Sequence, residues 1–227
     1  MPTVGTIYVA PFSDQSIYDE QMNKALFWNN PNFYGVDLTC LVDDAKSNHL
    51  GQAIVGYFSK DILLTSGRAK YVVDFNTATV ESLSTFDIPL AFKIEKTGLL
   101  HGLACWFDVN FAGSTSYVTL DTGPGSPDTH WYQCRLLFKE PLAVNNTQSI
   151  SGNMHFEVND SSSYEITMEL QLDGTDIKAK NDIHLHDQHY HYLQPQAFDY
   201  TQQQQQWQQQ WGQQQGQGQG QYQYGQQ

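Results

Sequence analysis

The chain has 227 residues, with 24 acidic and 11 basic side chains and a formal net charge of −13. This length suits one domain of ordinary size and a tail. Proteins that bind nucleic acid normally cluster Lys and Arg, so the acidic balance argues against direct nucleic-acid binding and leaves basic protein partners open. No signal peptide and no apolar run of membrane-spanning length is present, so we expect neither export nor membrane insertion.

Two helices are expected in the first part of the chain. The first ten residues predict a short strand, which Pro11 ends. Ser13 suits a helix N-cap, and apolar residues follow it at helical spacing as far as Leu26. A second helix is expected over 46–58, although its two glycines lower helix propensity by about 1 kcal/mol each.

After Gly67 the apolar residues alternate with polar ones, which is the period of a half-buried strand. The pattern occurs over 71–75, 88–94, 136–138 and 166–170, and 103–111 is expected to be a further strand because it is rich in aromatic residues. Turn residues separate these runs, and no helical pattern intervenes. Many short strands of this kind are typical of an antiparallel barrel or sandwich. The sequence therefore predicts a mainly β domain over roughly 60–195.

The end of the chain has a different composition. Residues 201–227 contain 17 Gln, 5 Gly and no charged side chain. Such a segment has too few large apolar residues to bury a core and is typical of disordered, self-associating sequence. We expect a disordered Gln-rich tail over 196–227.

The segment from Gly123 to Gln133 is the most informative one for chemistry. Its prolines and glycines predict a stiff loop that delivers His130 and Trp131 at the start of a strand. A titratable ring beside a flat aromatic ring suits a rim that binds cations or peptides. The alternative is an ordinary loop histidine and a half-buried strand tryptophan.

The other reactive residues carry weaker signals. Cys40, Cys105 and Cys134 are far apart among apolar neighbours, so we expect buried, reduced and inert thiols. The histidines at positions 184, 186, 189 and 191 invite a zinc interpretation, but no Cys and only Asp187 accompany them, and we favour solvated histidines and no metal site. No strand is followed by a glycine-rich turn that opens a helix, so no nucleotide-type cofactor loop is expected.

A series of short motifs resembles the coactivator-associated branch of the type I protein arginine methyltransferases. Thr129-His130-Trp131, followed by Tyr132-Gln133, resembles the THW loop of that family. Further matching segments, in the order of the family, are 4–14, 24–28, 32–38, 98–109, 135–138, 141–142 and 151–152. The similarity covers about residues 2–193.

The resemblance implies that the chain is the C-terminal β-barrel of such an enzyme, without the Rossmann-like domain that binds S-adenosyl-L-methionine. We therefore expect a chain that is part of a longer protein and is inactive alone. The implied organisation is a strand and helix leading in from the cofactor domain (1–19), a helical dimerisation arm and second helix (20–58), a β-barrel (59–195) and the tail (196–227).

The resemblance also implies roles for single residues. His130 would lie beside the active site and assist proton release, and Trp131 would wall the substrate arginine channel. Phe27, Trp28, Phe33 and Tyr34 would anchor the arm on a second subunit of a homodimer. No residue of this chain is expected to bind S-adenosyl-L-methionine.

The implied activity is transfer of methyl groups to arginine, giving asymmetric dimethylarginine on histone tails and other basic proteins. Transcription regulation in the nucleus and cytoplasm is the implied setting. The alternatives are a barrel that binds basic peptides without catalysis and a transcription coactivator module in which the Gln-rich tail recruits partners.

Overall fold

A computed structural model describes residues 1–193 of the chain. The Gln-rich tail predicted over 196–227 lies outside the described residues. The ten strands are β1 (Val4–Phe12), β2 (Gln52–Gly56), β3 (Ala69–Asp74), β4 (Thr85–Lys93), β5 (Gly98–Ala112), β6 (Tyr117–Asp121), β7 (Gln133–Val144), β8 (Ser149–Val158), β9 (Tyr164–Leu172) and β10 (Lys178–Tyr190). The three α-helices are α1 (Gln15–Leu26), α2 (Val42–Leu50) and α3 (Val80–Ser84).

All ten strands form one nearly closed, barrel-shaped sheet, as the mainly β prediction required. The strand order is β3-β1-β5-β7-β2-β10-β9-β8-β4, and β6 pairs with the far half of β5. Neighbours are antiparallel except β2 and β10, which run parallel. The first and last strands of this order meet through rings: Tyr71 of β3 stacks on Phe86 of β4 with centroids 4.3 Å apart, and Phe86 stacks on Phe156 of β8.

The alternating segments are strands, as predicted. In β4 the inward residues Ile88, Leu90 and Phe92 are buried and the residues between them are exposed, because one face of the strand lines the barrel interior and the other faces solvent. The strand expected in the first ten residues is also present, as β1, but it continues through Pro11 to Phe12, so the predicted end at Pro11 is wrong. It pairs with β3 on one side and β5 on the other.

The predicted helix over 46–58 is wrong in its second half. The helix α2 ends at Leu50, and residues 52–56 form β2, inserted between β7 and β10. Successive side chains of a strand point to opposite faces, and both faces of β2 are covered, so Ala53 and Ile54 are both fully buried. Ala53 joins the barrel interior, and Ile54 joins a second core on the outer face. Strands β1 and β2, which precede the predicted boundary at residue 59, therefore also belong to the barrel.

The second core lies between the outer face of the sheet and the helices α1 and α2. Ile17 of α1 and Leu50 of α2 pack there against Phe12, Ala104 and Leu137 of the sheet. Strands covered on both faces carry apolar residues in continuous runs rather than in alternation. This explains why β1 and β7 are buried along most of their length.

Asp14, not Ser13 as predicted, caps α1. Its Oδ1 accepts a hydrogen bond from the Ile17 backbone N–H at 3.2 Å, and its Oδ2 accepts one from the Arg135 Nη1 at 2.8 Å. The Arg135 side chain is only 4% exposed, so the Asp14 carboxylate provides the counter-charge for a buried cation of β7. The Asp14 backbone N–H in turn donates to the Nδ1 of the buried His101, at a register shift in β5.

Within residues 1–193, no helix combines the length and apolar character needed to cross a membrane.

We predict that Asp14→Asn lowers the free energy of unfolding by about 3–5 kcal/mol, because the buried Arg135 guanidinium loses its counter-charge. Asn is an equally good N-cap, so the substitution separates the charge from the cap. Urea unfolding followed by circular dichroism measures the change. The matched control is Ser13→Ala, which we expect to cost less than 1 kcal/mol because the Ser13 side chain does not cap α1; a loss below 1 kcal/mol for Asp14→Asn would contradict the prediction.

Candidate functional site

The His130–Trp131 segment forms an exposed turn at the start of β7. The Tyr132 N–H donates to the Thr129 carbonyl at 3.2 Å and closes the turn. Trp131 is 60% exposed and His130 is also exposed, so both rings face away from the barrel. The alternative of a half-buried strand tryptophan is therefore wrong: Trp131 lies outside the strand, and Gln133 is its first residue. The turn exposes the imidazole and the indole of two consecutive residues to solvent.

The loop that leads to this turn is held by Asp121, the last residue of β6. Its two carboxylate oxygens accept hydrogen bonds from the Gly123 N–H at 2.8 Å and the Ser126 hydroxyl at 2.6 Å. Gln133 holds the other side of the loop, since its Nε2 donates to the Thr122 carbonyl at 2.8 Å. The predicted stiff loop is thus braced by side chains as well as by its prolines.

Three tyrosines support the turn from below. Tyr57 donates its hydroxyl to the Thr129 carbonyl at 2.7 Å, and its ring lies 4.8 Å from that of Tyr132. Tyr132 stacks on Tyr192 with centroids 4.0 Å apart. Tyr132 has a positive φ of 53°, a conformation that costs free energy in a residue other than glycine and persists only where the surroundings enforce it. Tyr57 and Tyr192 come from distant parts of the chain, and only Tyr132 was in the segment singled out from the sequence.

A cleft of about 490 Å³ lies on the other side of the 123–126 loop. Neither His130 nor Trp131 lines it. The Arg68 guanidinium lies above the rings of Tyr8 and Trp106, 5.5 and 5.7 Å from their centroids. The charged residues around the cleft balance, with three cations and three carboxylates: Lys60, Arg68, Lys96, Asp61, Glu95 and Asp121. The cleft is a mixed-charge surface rather than a site for one class of ion.

The four aromatic residues assigned to the arm lie together between α1 and α2. Phe27 packs edge-on against Trp28 and Phe33, and Phe33 against Tyr34, with centroids 4.9–6.1 Å apart. Residues 27–38 contain no helix: Tyr34 and Gly35 both have positive φ and make a tight turn closed by hydrogen bonds between Phe33 and Val36. None of the four belongs to either core, and Phe27 and Tyr34 are 56% and 74% exposed. The segment presents an apolar surface.

The four histidines near the end of the described chain lie on or just after β10 and pair with glutamates. His184 and His186 contact Glu165 of β9. His189 and His191 contact Glu20 of α1, at 3.2 and 3.5 Å. Among residues 1–193, no group of three or more His, Cys, Asp or Glu side chains is arranged to hold a metal ion.

Glu20 is the most perturbed of these carboxyl groups. Its burial opposes ionisation, but hydrogen bonds with His189, His191 and Lys24 outweigh the burial and hold the pKa of Glu20 well below its usual range. The Lys24 Nζ lies 2.8 Å from the carboxylate. The cluster joins α1 to the end of β10.

The cysteine prediction is wrong for one residue. Cys40 is exposed, because it lies in the short 3-10 helix Thr39–Leu41 beside the arm rather than in a core. Cys105 and Cys134 are half-buried, and burial raises the pKa of both thiols, that of Cys134 to about 12. These two are protonated and slow to react at neutral pH.

The described residues do not fit a nucleotide-type cofactor. The helix α1 follows β1 through Ser13 and Asp14, without glycine, and a carboxylate occupies the N-terminus where an anionic group would bind. The one parallel strand pair joins β2 to β10, and several antiparallel strands lie between them in the chain. This part of the chain therefore lacks the glycine-rich turn and free helix N-terminus of a nucleotide-type cofactor loop at the β1–α1 junction.

Comparison with known proteins identifies relatives for most of the chain. Residues 3–176 match the family described as the arginine methyltransferase oligomerization subdomain. The chain is 41% identical over 191 residues to the histone-arginine methyltransferase CARMER of Drosophila ananassae and 42% identical to that of Drosophila grimshawi. Each match covers 84% of this chain but 36% and 35% of the relative, so the chain spans about a third of their length.

Two solved structures have a similar fold. Protein arginine methyltransferase 10 of Arabidopsis thaliana superposes with a TM-score of 0.66, over 80% of this chain and 59% of that one. The Trypanosoma brucei PRMT1 enzyme–prozyme heterotetrameric complex with AdoHcy gives 0.61 over 80% and 57%. Both are 18% identical in sequence, so they support the barrel fold alone.

We predict that Glu20→Gln lowers the free energy of unfolding at pH 6 by about 1.5–3 kcal/mol, since it removes the negative charge and one of the two acceptor oxygens that Lys24 and the two histidines contact. The pKa of Glu20 is lowered by folding, so its ionised form stabilises the fold above the ordinary pKa of 4.5. That contribution decreases as the pH falls from 4.5 towards the folded-state pKa, by up to about 1.4 kcal/mol per pH unit.

The measurement is urea unfolding of both proteins between pH 6 and pH 3.5. The difference in free energy of unfolding between the native chain and Glu20→Gln should become smaller only below about pH 4.5. The exposed Glu157, replaced in the same way, is the control and should leave the curve unchanged. A gap that stays constant down to pH 3.5 would show that Glu20 is not stabilised as a carboxylate.

Proposed function

The chain belongs to the protein arginine methyltransferase family, and residues 3–176 match the oligomerization subdomain of that family. We propose that it is the substrate-side barrel of an S-adenosyl-L-methionine-dependent protein arginine N-methyltransferase. The observation that carries the proposal is the His130–Trp131 turn, which exposes the side chains of two consecutive residues and is braced by Tyr57 and Tyr192. A rim built in this way suits recognition of a cationic side chain.

In the proposed enzyme, methyl transfer needs a second domain. The cofactor supplies an activated methyl group, and the described residues of this chain do not fit it. The 227-residue chain is therefore proposed to be inactive alone. Its contribution is to complete one wall of the site in which an arginine side chain is held.

His130 and Trp131 have separate proposed roles at that wall. Trp131 offers a flat aromatic face to the guanidinium group, which orients the arginine through a cation–π contact. His130 pairs with a carboxylate of the cofactor domain and takes part in releasing the proton that the guanidinium loses when it is methylated. Both roles need exposed side chains, and the exposure of His130 and Trp131 supports them.

The proposed substrates are basic proteins. The relatives from Drosophila are histone-arginine methyltransferases by name, and the net charge of −13 favours encounter with Arg-rich segments such as histone tails. We propose asymmetric dimethylarginine as the product, transcription regulation as the role, and the nucleus and cytoplasm as the location.

The arm is proposed to join two subunits. Its apolar surface, formed by Phe27, Trp28, Phe33 and Tyr34, lies outside both cores of this chain. Aromatic residues in such a position are typical anchors of protein–protein interfaces. The partner is proposed to be a second copy of the complete enzyme.

We predict that, in this chain fused to the cofactor domain of a relative, His130→Ala and Trp131→Ala each lower methyl transfer by about ten-fold or more. Loss of acid–base assistance costs about 10²–10⁴-fold, and displacement of a reactant by about 1 Å can cost about 10²-fold. The measurement is initial-rate transfer of labelled methyl groups to a histone peptide, together with cofactor affinity and melting temperature, which should not change.

The matched control is Tyr117→Ala, which removes an aromatic side chain that is 65% exposed on β6, away from the turn. It should leave the rate unchanged. A two-fold loss or less in both His130→Ala and Trp131→Ala would mean that the turn is only a scaffold. A lowered melting temperature in His130→Ala would indicate a structural role for the histidine.

We predict that the chain alone self-associates weakly and that Trp28→Ala reduces this association about 30-fold, equivalent to the loss of about 2 kcal/mol for one aromatic anchor. Sedimentation velocity over a range of concentrations measures it, with Tyr117→Ala as the control for an exposed aromatic residue. A sharply monomeric native chain whose sedimentation does not change with Trp28→Ala would count against the arm.

A further inference from the structure

Two half-buried cysteines lie directly opposite one another on neighbouring strands. Cys105 of β5 and Cys134 of β7 are register partners in an antiparallel pair. Residues in this relation have Cα atoms about 4.5–5.5 Å apart and side chains on the same face of the sheet. A disulfide requires Cα atoms about 4.4–6.8 Å apart, so this register is compatible with one.

The surroundings hold the pair in place. Both cysteines pack against the barrel interior, and each has a further strand on its outer side: Val9 of β1 pairs with Cys105, and Val55 of β2 pairs with Cys134. Strands bordered on both sides cannot slide or separate without breaking other pairings. The two sulfurs therefore remain neighbours, and both residues keep partial exposure to solvent.

The pair also lies at the two ends of the segment 106–133, which carries the His130–Trp131 turn. Trp106 follows Cys105, and the chain then runs out along β5 and back through β6 and the 122–132 loop before it reaches Cys134. A covalent link between the two cysteines would close this segment into a ring at the sheet.

We propose that Cys105 and Cys134 form an oxidisable dithiol, which a peroxide converts to a cross-strand disulfide beneath the His130–Trp131 turn. One thiolate attacks a peroxide oxygen, the O–O bond breaks, and hydroxide leaves and is protonated to water. The second thiolate attacks the resulting sulfenic sulfur, and a second water leaves. The two thiols lose two electrons and two protons, and hydrogen peroxide is reduced to two waters.

Burial raises the pKa of both thiols, and the charge of Cys134 raises the pKa of Cys105 further. Because both thiols are protonated at neutral pH, the oxidation is faster in alkaline solution.

The test uses the 227-residue chain with Cys40→Ser, which removes the exposed third thiol. The folded protein is treated with hydrogen peroxide at pH 7 and pH 8.5, denatured, and alkylated with N-ethylmaleimide. We expect a mass 2 Da lower and no label, with faster conversion at pH 8.5. Trypsin leaves both cysteines in one peptide, residues 97–135, so a second cleavage before Asp108, Asp121 and Asp128 is needed. The two cysteine peptides should then stay joined until they are reduced.

The melting temperature is the second readout. Closing a ring of this length should raise it by about 5 °C or more in the oxidised protein, and reduction should reverse the rise. The variants Cys40→Ser/Cys105→Ala and Cys40→Ser/Cys134→Ala should show neither the rise nor the joined peptides. The mass measurement on Cys40→Ser alone stands even if these variants do not fold.

Three outcomes would overturn the proposal. The first is two fully alkylated cysteines after treatment that oxidises Cys40 in the native sequence. The second is stable addition of 16 or 32 Da without a joined peptide, which would mean that the sulfurs react separately. The third is a joined peptide that forms only when the chain is denatured before oxidation.

Discussion

The ion pair between Asp14 and Arg135 links the start of helix α1 to strand β7, and the position of the arm depends on this link. Arg135 belongs to β7, next to Cys134, and its guanidinium is buried under α1. Asp14 starts that helix and compensates the charge. A buried cation with one carboxylate partner restricts where the helix can begin, so the ion pair and the apolar contacts of Ile17 together hold α1 on the outer face of the barrel. The orientation of the arm follows from the direction of α1.

The strands that sequence reasoning finds are those with one covered face. The 88–94 segment alternates because one side lines the interior and the other is in water. In β2, Ala53 and Ile54 are both buried, since helices cover the outer face, and a short apolar run of that kind cannot be distinguished from a helix by its period. In β10 the inward positions include the buried Asn181, which donates to two backbone carbonyls, so its alternation was concealed by a polar residue.

The candidate site divides in the same way. His130 and Trp131 could be named from the sequence because they lie together in one short motif. Their support could not, because Tyr57 is 72 residues away from the carbonyl that it binds and Tyr192 is 60 residues beyond Tyr132, on which it stacks. Contacts of this range depend on strand register, which a single sequence does not contain. The same reasoning applies to Glu20, whose histidine partners are 169 residues further along the chain or more.

The barrel is not closed by hydrogen bonds between β3 and β4, where the stacked rings of Tyr71 and Phe86 take the place of a backbone ladder. Every other boundary between neighbouring strands is a ladder of backbone hydrogen bonds, whereas β3 and β4 meet through side chains. Residues 75–84 connect these two strands in the chain, and no backbone ladder joins their facing edges. We therefore expect amide hydrogens on the facing edges to exchange with solvent through local opening at a lower free energy than those of β1, β5 and β7, which have a paired strand on each side.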